Sequence, residues 1–154
     1  MAGSLKENGN FDETRVVSES AEQTRAFAAH FAKSLGDDAF VVFSGDLGAG
    51  KTTFVKGMAE GFGITARVKS PSFNIMSLYD APDGRKLAHI DAYRLEDPQN
   101  FENLALDEVA PPPRCVCVEW WQNVAEAIPQ DAIKVEMSID DDGNHIVKIA
   151  RPRK

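Results

Sequence analysis

A glycine-rich loop between an apolar run and a helical stretch constrains the fold of this chain more than any other feature. Eight residues fit the pattern G-x-x-x-x-G-K-S/T, with a third glycine inside it, and they read Gly45-Asp46-Leu47-Gly48-Ala49-Gly50-Lys51-Thr52. Glycine supplies the backbone angles with which successive N–H groups converge on phosphate oxygens. In such a loop the lysine reaches the β and γ phosphates, the threonine hydroxyl ligates Mg²⁺, and a helix N-terminus adds its dipole. The sequence therefore predicts a nucleotide-binding loop.

The residues on either side supply the context that such a loop requires. The run Phe40-Val41-Val42-Phe43 ahead of it is typical of a strand that is buried on both faces. Behind it, apolar residues recur at helical spacing up to Gly63, a natural stop; they are Phe54, Val55, Met58, Ala59 and Phe62. A flexible glycine turn before a helix is the alternative. Because strand, loop and helix follow one another in the required order, we interpret the segment as a phosphate-binding loop.

Length and composition indicate a single domain. The 154 residues suffice for one α/β domain and are too few for two. We expect a loose polar leader at residues 1–13, the domain at residues 14–150 and a short basic tail at residues 151–154. No apolar run approaches the ~20 residues of a membrane span, and the start lacks the apolar stretch of a signal peptide. We therefore expect a soluble, cytoplasmic protein with no membrane partner.

The chain has two cysteines, Cys115 and Cys117, which lie two positions apart in an apolar run. That spacing puts both on one face of a predicted strand, where we expect reduced, buried packing residues. A metal half-site is the alternative, but the three histidines are scattered and complete no ligand spacing.

The charge balance bears on the kind of partner. The net charge is −7, and lysine and arginine are spread along the chain except for a short basic cluster at its end. Bulk electrostatics therefore oppose tight, unaided binding to nucleic acid. We interpret the terminal cluster, Arg151, Arg153 and Lys154, as a solvated terminus.

Periodicity and turn chemistry predict the remaining elements. Ser20 with Gln23 forms a capping box that opens a helix, and the turn residues 81–84 join two strands so tightly that they must be antiparallel. Helices are expected at residues 20–35, 53–62, 101–109 and 121–128. Strands are expected at residues 14–17, 40–43, 73–79, 86–90, 115–118, 133–139 and 146–149. The predicted fold class is α/β, a P-loop nucleotide-binding fold with a mixed, partly antiparallel central sheet flanked by helices.

Two acidic residues are candidates for the rest of the site. Glu119 follows the apolar run Cys115-Val116-Cys117-Val118, and Asp91 follows Leu87-Ala88-His89-Ile90. A carboxylate at the C-terminal end of a buried strand lies where α/β sheets place ligands. Hydrolysis needs such groups to hold a metal and to position water, and either residue could take either part. A solvated strand end is the alternative for each.

Three further motifs accompany the loop. They are His89-Ile90-Asp91-Ala92-Tyr93-Arg94, which matches H-x-D-x-Y-R, Glu119-Trp120, which matches E-W, and Ser70-Pro71-Ser72-Phe73, which resembles S-P-T-F. With the loop and Thr53, they occur in this order in the TsaE family, the bacterial ATPases of tRNA threonylcarbamoyladenosine biosynthesis. The chain resembles this family over residues 20–149.

The resemblance implies an accessory factor that uses ATP and Mg²⁺. It would act with TsaB and TsaD in the modification of tRNA adenosine 37, would contact tRNA only through that complex, and would leave the transfer chemistry to TsaD. By motif match, residues 46–53 hold ATP, Thr52 and Glu119 are Mg²⁺ ligands, and Asp91 is needed for hydrolysis. The resemblance also places four features around the nucleotide: Ser20 and Thr24 at the base, Trp120 beside it, and a switch-like loop of Ser70, Pro71 and Ser72 near the γ-phosphate.

The chain departs from the family pattern at three places. Ser72 replaces a threonine but keeps the hydroxyl, so this change should matter little. Trp121 and Gln122 replace a proline or small residue and an acid, and Asn144-His145 stands where an arginine is common. The nucleotide contacts at these last two places are left open.

Two other functions compete with this interpretation. A small P-loop kinase would close an arginine-rich lid over the phosphates, but the chain offers only Arg67, Arg85, Arg94 and Arg114 between the loop and its tail, and no long insertion. A nucleotide-gated binding module that barely turns over is the second alternative.

Overall fold

The computed structural model describes residues 11–45, 50–69, 71 and 74–153. Within them, seven strands form one mixed sheet in the order β1-β7-β6-β2-β5-β4-β3. The strands are β1 (Phe11–Ser18), β2 (Asp38–Gly45), β3 (Met76–Asp80), β4 (Lys86–Asp91), β5 (Arg114–Glu119), β6 (Ile133–Ile139) and β7 (His145–Pro152). The helices are α1 (Ala21–Lys33), α2 (Lys51–Gly61), α3 (Pro98–Glu102), α4 (Leu106–Val109) and a 3₁₀ helix (Trp121–Ala127). This confirms the predicted mixed α/β architecture. In the described part of the chain, no helix is long and apolar enough to cross a membrane.

The centre of the sheet is parallel. β2 lies between β5 and β6 and is parallel to both, and β4 is parallel to β5. Every residue of β5 is buried, as its unbroken apolar sequence predicts for a central strand. Because parallel strands end at the same edge of a sheet, Gly45, Asp91 and Glu119 come together at the carboxyl ends of β2, β4 and β5.

Antiparallel strands complete the sheet on both sides. The turn at residues 81–84 joins β3 to β4 in an antiparallel pair, as predicted. β7 pairs antiparallel with both β6 and β1. β1 begins at Phe11, inside the expected leader, and β7 continues to Pro152, inside the expected tail. The sequence boundaries were wrong here because the two ends stabilise each other: Phe11 is the register partner of Pro152, and Asp12 accepts a 2.7 Å hydrogen bond from Arg153 Nε. Residues 1–10 and 154 lie outside the described residues.

Two helical segments differ from their predictions. The stretch expected at residues 101–109 is two short helices, α3 and α4, because Ala105 between them takes a left-handed conformation with φ 56°. At the start of α1, Ser20 Oγ accepts the hydrogen bond from Gln23 N that the capping box predicts. In the reciprocal bond, Gln23 Oε1 accepts from Glu19 N, one residue earlier than expected.

The core has two layers, one on each face of the sheet. α1 and α2 cover one face, where the Phe54 ring packs against the rings of Phe27, Phe31 and Phe43 at centroid distances of 6.2, 5.6 and 5.7 Å. The aromatic residues of α1 are therefore part of the packed core. α3, α4 and the 3₁₀ helix cover the other face.

Two glycines set the crossing of α1 and α2. A Cβ atom on Gly57 would lie 2.5 Å from the carbonyl oxygen of Arg25, and one on Gly61 would lie 2.4 Å from that of Ala29. Such close approach of two backbones is possible only without side chains at these positions. The contacts advance along both helices in the same sense, so α1 and α2 are parallel. The N-terminus of α1 therefore lies at the same end of the layer as the phosphate loop.

Candidate nucleotide-binding site

The phosphate loop joins β2 to α2 as the sequence predicts. Gly45 and Gly50, the loop glycines among the described residues, have φ angles of 132° and 97°, a region that side chains rarely enter. A Cβ on Gly45 would also lie 1.9 Å from the carbonyl oxygen of Met137 in β6. The first hydrogen bond of α2, from Phe54 N to Gly50 O, is 2.9 Å long. Asp46, Leu47, Gly48 and Ala49 lie outside the described residues.

Lys51 places its ammonium at the mouth of this loop. Its side chain is mostly buried, with 8% exposed, and Nζ donates to the Gly45 carbonyl oxygen at 3.2 Å. Nζ also lies 5.3 Å from the centre of the Trp120 ring, within range of a cation–π interaction. Thr52 and Thr53 follow in the first turn of α2 and are partly exposed. A cation and a helix N-terminus therefore face the same opening, which suits an anionic ligand.

Asp91 and Glu119 lie side by side at this edge of the sheet. They are register partners on β4 and β5, so their side chains point to the same face. Two residues before Glu119 on that face, Cys117 Sγ contacts Met58 Sδ of α2 at 4.0 Å. Both carboxylates therefore point to the face that α2 covers, toward the phosphate loop. The structure thus brings together the two acidic residues that the sequence singled out.

The protein holds one oxygen of each carboxylate. Glu119 is 8% exposed, and its Oε2 lies 2.7 Å from His89 Nε2. Asp91 Oδ1 accepts a 3.0 Å hydrogen bond from Tyr93 N. No other hydrogen bond to either carboxylate is found within the described ranges, so Glu119 Oε1 and Asp91 Oδ2 are available to a ligand. Sequence reasoning gave His89 no role, although it opens the H-x-D-x-Y-R motif.

An aromatic pair forms the outer rim of the site. The Trp120 and Tyr93 rings lie 5.0 Å apart, edge to face, and are 42% and 64% exposed. The Asn123 side chain fixes the segment that follows β4 by donating to the carbonyl oxygens of Ala92 and Tyr93 at 3.1 and 3.2 Å. Sequence reasoning missed Asn123, because one asparagine in a polar helical stretch gives no signal.

The residues expected at the base lie on the opposite side of the loop from the carboxylates. Thr24 is buried, and its Oγ1 lies 2.6 Å from Ser18 Oγ and donates to Ser20 O at 3.2 Å. Ser18 is the register partner of His145, whose Nδ1 would lie 3.3 Å from a Cβ on Gly50. Ser20 is exposed at the helix start. The sequence gave no sign that Ser18 belongs to this cluster.

Only part of the expected switch-like loop is described. Pro71 is buried, whereas Ser70 and Ser72 lie outside the described residues. The role of this loop stays a prediction.

The cysteines are packing residues, as predicted. Both are free and buried, with their sulfur atoms 3.9 Å apart. The hydrogen bond between Cys117 and Cys115, together with burial, raises the pKa of the Cys117 thiol well above its ordinary value. Among residues 11–45, 50–69, 71 and 74–153 there is no group of three His, Cys, Asp or Glu side chains that could hold a metal, so the half-site alternative gains no support.

A separate open cleft of about 810 Å³ lies at the opposite edge of the sheet, where β2, β5 and β6 begin. Arg114 at its centre is mostly buried and forms 2.8 Å ion pairs with Asp38 and Asp107. Because this cation is already neutralised and the phosphate loop is at the other edge, we place the functional site at the loop and not in this cleft.

Comparisons with known proteins agree with the geometry. The family profile of "Threonylcarbamoyl adenosine biosynthesis protein TsaE" matches residues 18–147. A curated TsaE from Treponema pallidum (strain Nichols) is 34% identical over 137 residues, covering 88% of this chain and 99% of the relative. The TsaE of Bacillus subtilis (strain 168) is 46% identical over 118 residues, covering 74% of this chain and 70% of the relative.

The fold comparison leads to the same family. The crystal structure of YdiB from Bacillus subtilis superposes with a TM-score of 0.76 at 32% identity, covering 93% of this chain and 88% of that one. This likeness confirms the predicted P-loop fold with its mixed sheet. The chain therefore belongs to the TsaE family of tRNA threonylcarbamoyladenosine biosynthesis proteins.

Proposed function

We propose that this chain binds and hydrolyses ATP, with Mg²⁺, as an accessory factor for threonylcarbamoyl modification of tRNA adenosine 37. One observation carries the proposal. The Lys51 ammonium and the Asp91 and Glu119 carboxylates lie at the end of the sheet where β2 enters the phosphate loop. A cation for phosphate beside two acids for metal and water is the donor set that phosphoryl chemistry needs.

The side chains divide this work. Lys51 leaves the Gly45 carbonyl oxygen to bind the β and γ phosphates, and the N-terminus of α2 presents its N–H groups to them. Thr52, Glu119 and Asp91 are oxygen donors of the kind that Mg²⁺ takes when phosphates and water complete its shell. An ion held there would neutralise charge on the phosphates. Of the two carboxylates, the one that does not hold the ion orients the attacking water.

The partners follow from charge and family membership. A chain of net charge −7 lacks the basic surface that independent tRNA binding requires. We therefore propose that TsaB and TsaD partners bring it to tRNA in the cytoplasm, that TsaD performs the transfer, and that ATP turnover resets the complex. Turnover by the isolated chain is expected to be slow.

The kinase alternative is less well supported. Arg85 donates from Nη1 to Gly36 O at 2.7 Å, and Arg114 is paired at the amino ends of the strands. Two of the four arginines that a lid could use are thus engaged away from the loop.

A reconstituted assay tests the proposal. Purified chain, TsaB and TsaD receive ATP, labelled threonine, bicarbonate, the enzyme that supplies the threonylcarbamoyl donor, and tRNA. We expect ATP turnover to rise on addition of TsaB and TsaD, and modification to require Lys51. Lys51→Ala should abolish multiple turnover, whereas Lys56→Ala, on the exposed side of α2, should not. Undiminished modification with Lys51→Ala, or phosphorylation of a small metabolite by the chain alone, would refute it.

A further inference from the structure

His89 is a fully buried polar residue in contact with the site, and the scheme above does not use it. It is 0% exposed, and its Nε2 lies 2.7 Å from Oε2 of Glu119. Its other ring nitrogen, Nδ1, is buried and has no hydrogen-bond partner among the residues that the structure describes. The ring nitrogens of a fully buried histidine normally both form hydrogen bonds. In the described structure, His89 forms a single one, and its partner is a carboxylate of the site. We take this as a sign that the ring serves to hold that carboxylate.

We infer that His89 is a positioning residue that donates from Nε2–H to Glu119 and leaves Oε1 as the oxygen that Glu119 offers to the metal or water. The proton position follows from the contacts. A single proton on Nδ1 would have no acceptor, and it would leave two acceptors, Nε2 and Oε2, facing each other at 2.7 Å. A proton on Nε2 removes both penalties and leaves only a bare acceptor at Nδ1, which is cheaper to bury than an orphaned donor.

The sheet supplies the rigidity that positioning needs. His89 and Cys117 are register partners, and Asp91 and Glu119 are the next pair along the same face. His89 therefore lies one pleat below the carboxylates and reaches diagonally across from β4 to the end of β5. Both strands are almost entirely buried, so the bond fixes the Glu119 head group from beneath.

The inference rests on the proposed function, because orienting Glu119 matters only if that residue serves bound nucleotide and metal. Residues that hydrogen-bond a metal ligand typically change metal affinity by about 10- to 100-fold when removed. The relevant quantity is therefore the gain in nucleotide affinity that Mg²⁺ gives, measured without turnover.

Three substitutions at one position separate orientation from packing. We expect His89→Leu, which fills the space without a donor, and His89→Asn, whose amide is too short to reach Oε2, to lose about 10-fold or more of the Mg²⁺-dependent gain in ADP affinity. His89→Gln places an amide donor near the position of Nε2 and should retain most of it. Cys117→Ala is the matched control, because it changes a buried neighbour on the same face and leaves the bond intact. Calorimetry with Mg²⁺ and with EDTA gives the gain, and circular dichroism gives the folded state.

A measurement on the unaltered protein keeps the test independent of folding defects. In a ¹⁵N-histidine spectrum, with the His89 signals identified by their loss in His89→Gln, we expect the proton on Nε2. A proton on Nδ1 with a bare Nε2 would overturn the inference. So would a folded His89→Leu with the full Mg²⁺ gain, provided that Glu119→Gln loses it. If Glu119→Gln keeps the gain as well, the proposed site itself is wrong.

Discussion

At the scale of single residues, Lys51 is poised between two partners that a nucleotide would replace. Its ammonium is held by the Gly45 carbonyl oxygen and the Trp120 ring, both weaker partners than a phosphate anion. We expect Lys51→Ala to weaken ATP binding by roughly 10- to 100-fold, since a hydrogen bond to a charged group contributes about 1.5–3 kcal/mol. Calorimetry measures the affinity, with Lys56→Ala as control. Parental affinity in Lys51→Ala would contradict the assignment.

A substitution at Thr52 should separate the contribution of the metal to ATP binding from that of the phosphate contacts. Its hydroxyl lies in the first turn of α2 and adds no charge. Thr52→Ala is expected to bind ATP like the parent in EDTA and to lose the gain that Mg²⁺ provides. The same titrations in both buffers measure this, and Thr52→Ser, which keeps the hydroxyl, should behave like the parent. A full Mg²⁺ gain in Thr52→Ala would exclude the threonine as a ligand.

The contact between Lys51 and Trp120 makes the indole a reporter of the site. When Lys51 turns to phosphate, its charge leaves the face of the Trp120 ring, and the emission of that ring should change. We expect nucleotide to alter the fluorescence of Trp121→Phe, in which Trp120 is the remaining tryptophan, but not that of Trp120→Phe. Titration with ADP gives the signal. An equal change in both variants would show that Trp120 does not lie beside the phosphates.

Asp91 and Glu119 should act on turnover more than on stability. Each is at the end of a buried strand, where its charge is not part of the apolar core. Asp91→Asn and Glu119→Gln should slow ATP hydrolysis in the assembled complex by about 10²-fold or more and keep the fold. Glu96→Gln, which removes an exposed charge nearby, is the control. Parental hydrolysis by both site variants would remove the carboxylates from the mechanism.

At the scale of elements, the sequence predicted what local pattern determines. The loop between β2 and α2, the hairpin at residues 81–84 and the capped start of α1 were all predicted from side chains close in sequence. The pairing of Phe11 with Pro152 was not, because it joins residues distant in sequence, and no residue type in the sequence marks the left-handed conformation of Ala105. At the site, Asp91 and Glu119 were predicted because each is an acidic residue at the C-terminal end of a buried strand.

The residues that support the site, His89 and Asn123, could not be predicted in this way. The bond between His89 and Glu119 joins two strands, and the bonds from Asn123 join the 3₁₀ helix to the segment that follows β4. These contacts depend on how β4 and β5 are aligned in the sheet. No spacing along the sequence predicts that alignment.

The crossing of α1 and α2 gives a prediction at this scale. Gly57→Ala would place its Cβ 2.5 Å from Arg25 O and 2.8 Å from the Ala28 Cβ, with backbone on one side that cannot yield. Overpacking of this kind costs about 1–3 kcal/mol and should outweigh the helix propensity of about 1 kcal/mol that alanine adds. Denaturant unfolding should show a net loss of stability. Gly36→Ala, with nothing within 4 Å of the added Cβ, should be neutral or slightly stabilising. A Gly57→Ala protein as stable as the parent would mean that the helices do not cross so closely.

At the scale of the whole molecule, the distribution of charge bears on whether the chain could bind tRNA by itself. The net charge is −7, and six of the basic residues that the structure describes already pair with acids: Arg25, Arg85, Lys86, Arg114, Lys148 and Arg153. The counterion release that drives independent binding to nucleic acid is therefore small. The nucleotide site, by contrast, needs only one cation and a helix N-terminus. Nucleotide affinity and tRNA affinity should thus be separable.

We therefore expect the isolated chain to retain no tRNA in a gel shift at physiological salt and to show no steep dependence of retention on salt, while it still binds ATP. With TsaB and TsaD present, tRNA should be retained, and the chain should migrate with the complex when nucleotide is added. Lys51→Ala tests whether association with TsaB and TsaD depends on bound nucleotide, because this variant keeps the protein surface but has a lower affinity for nucleotide. Bovine albumin, another acidic protein, controls for nonspecific retention. Tight, salt-sensitive tRNA binding by the chain alone would place a nucleic-acid surface on this protein and would overturn the view that it reaches tRNA only through its partners.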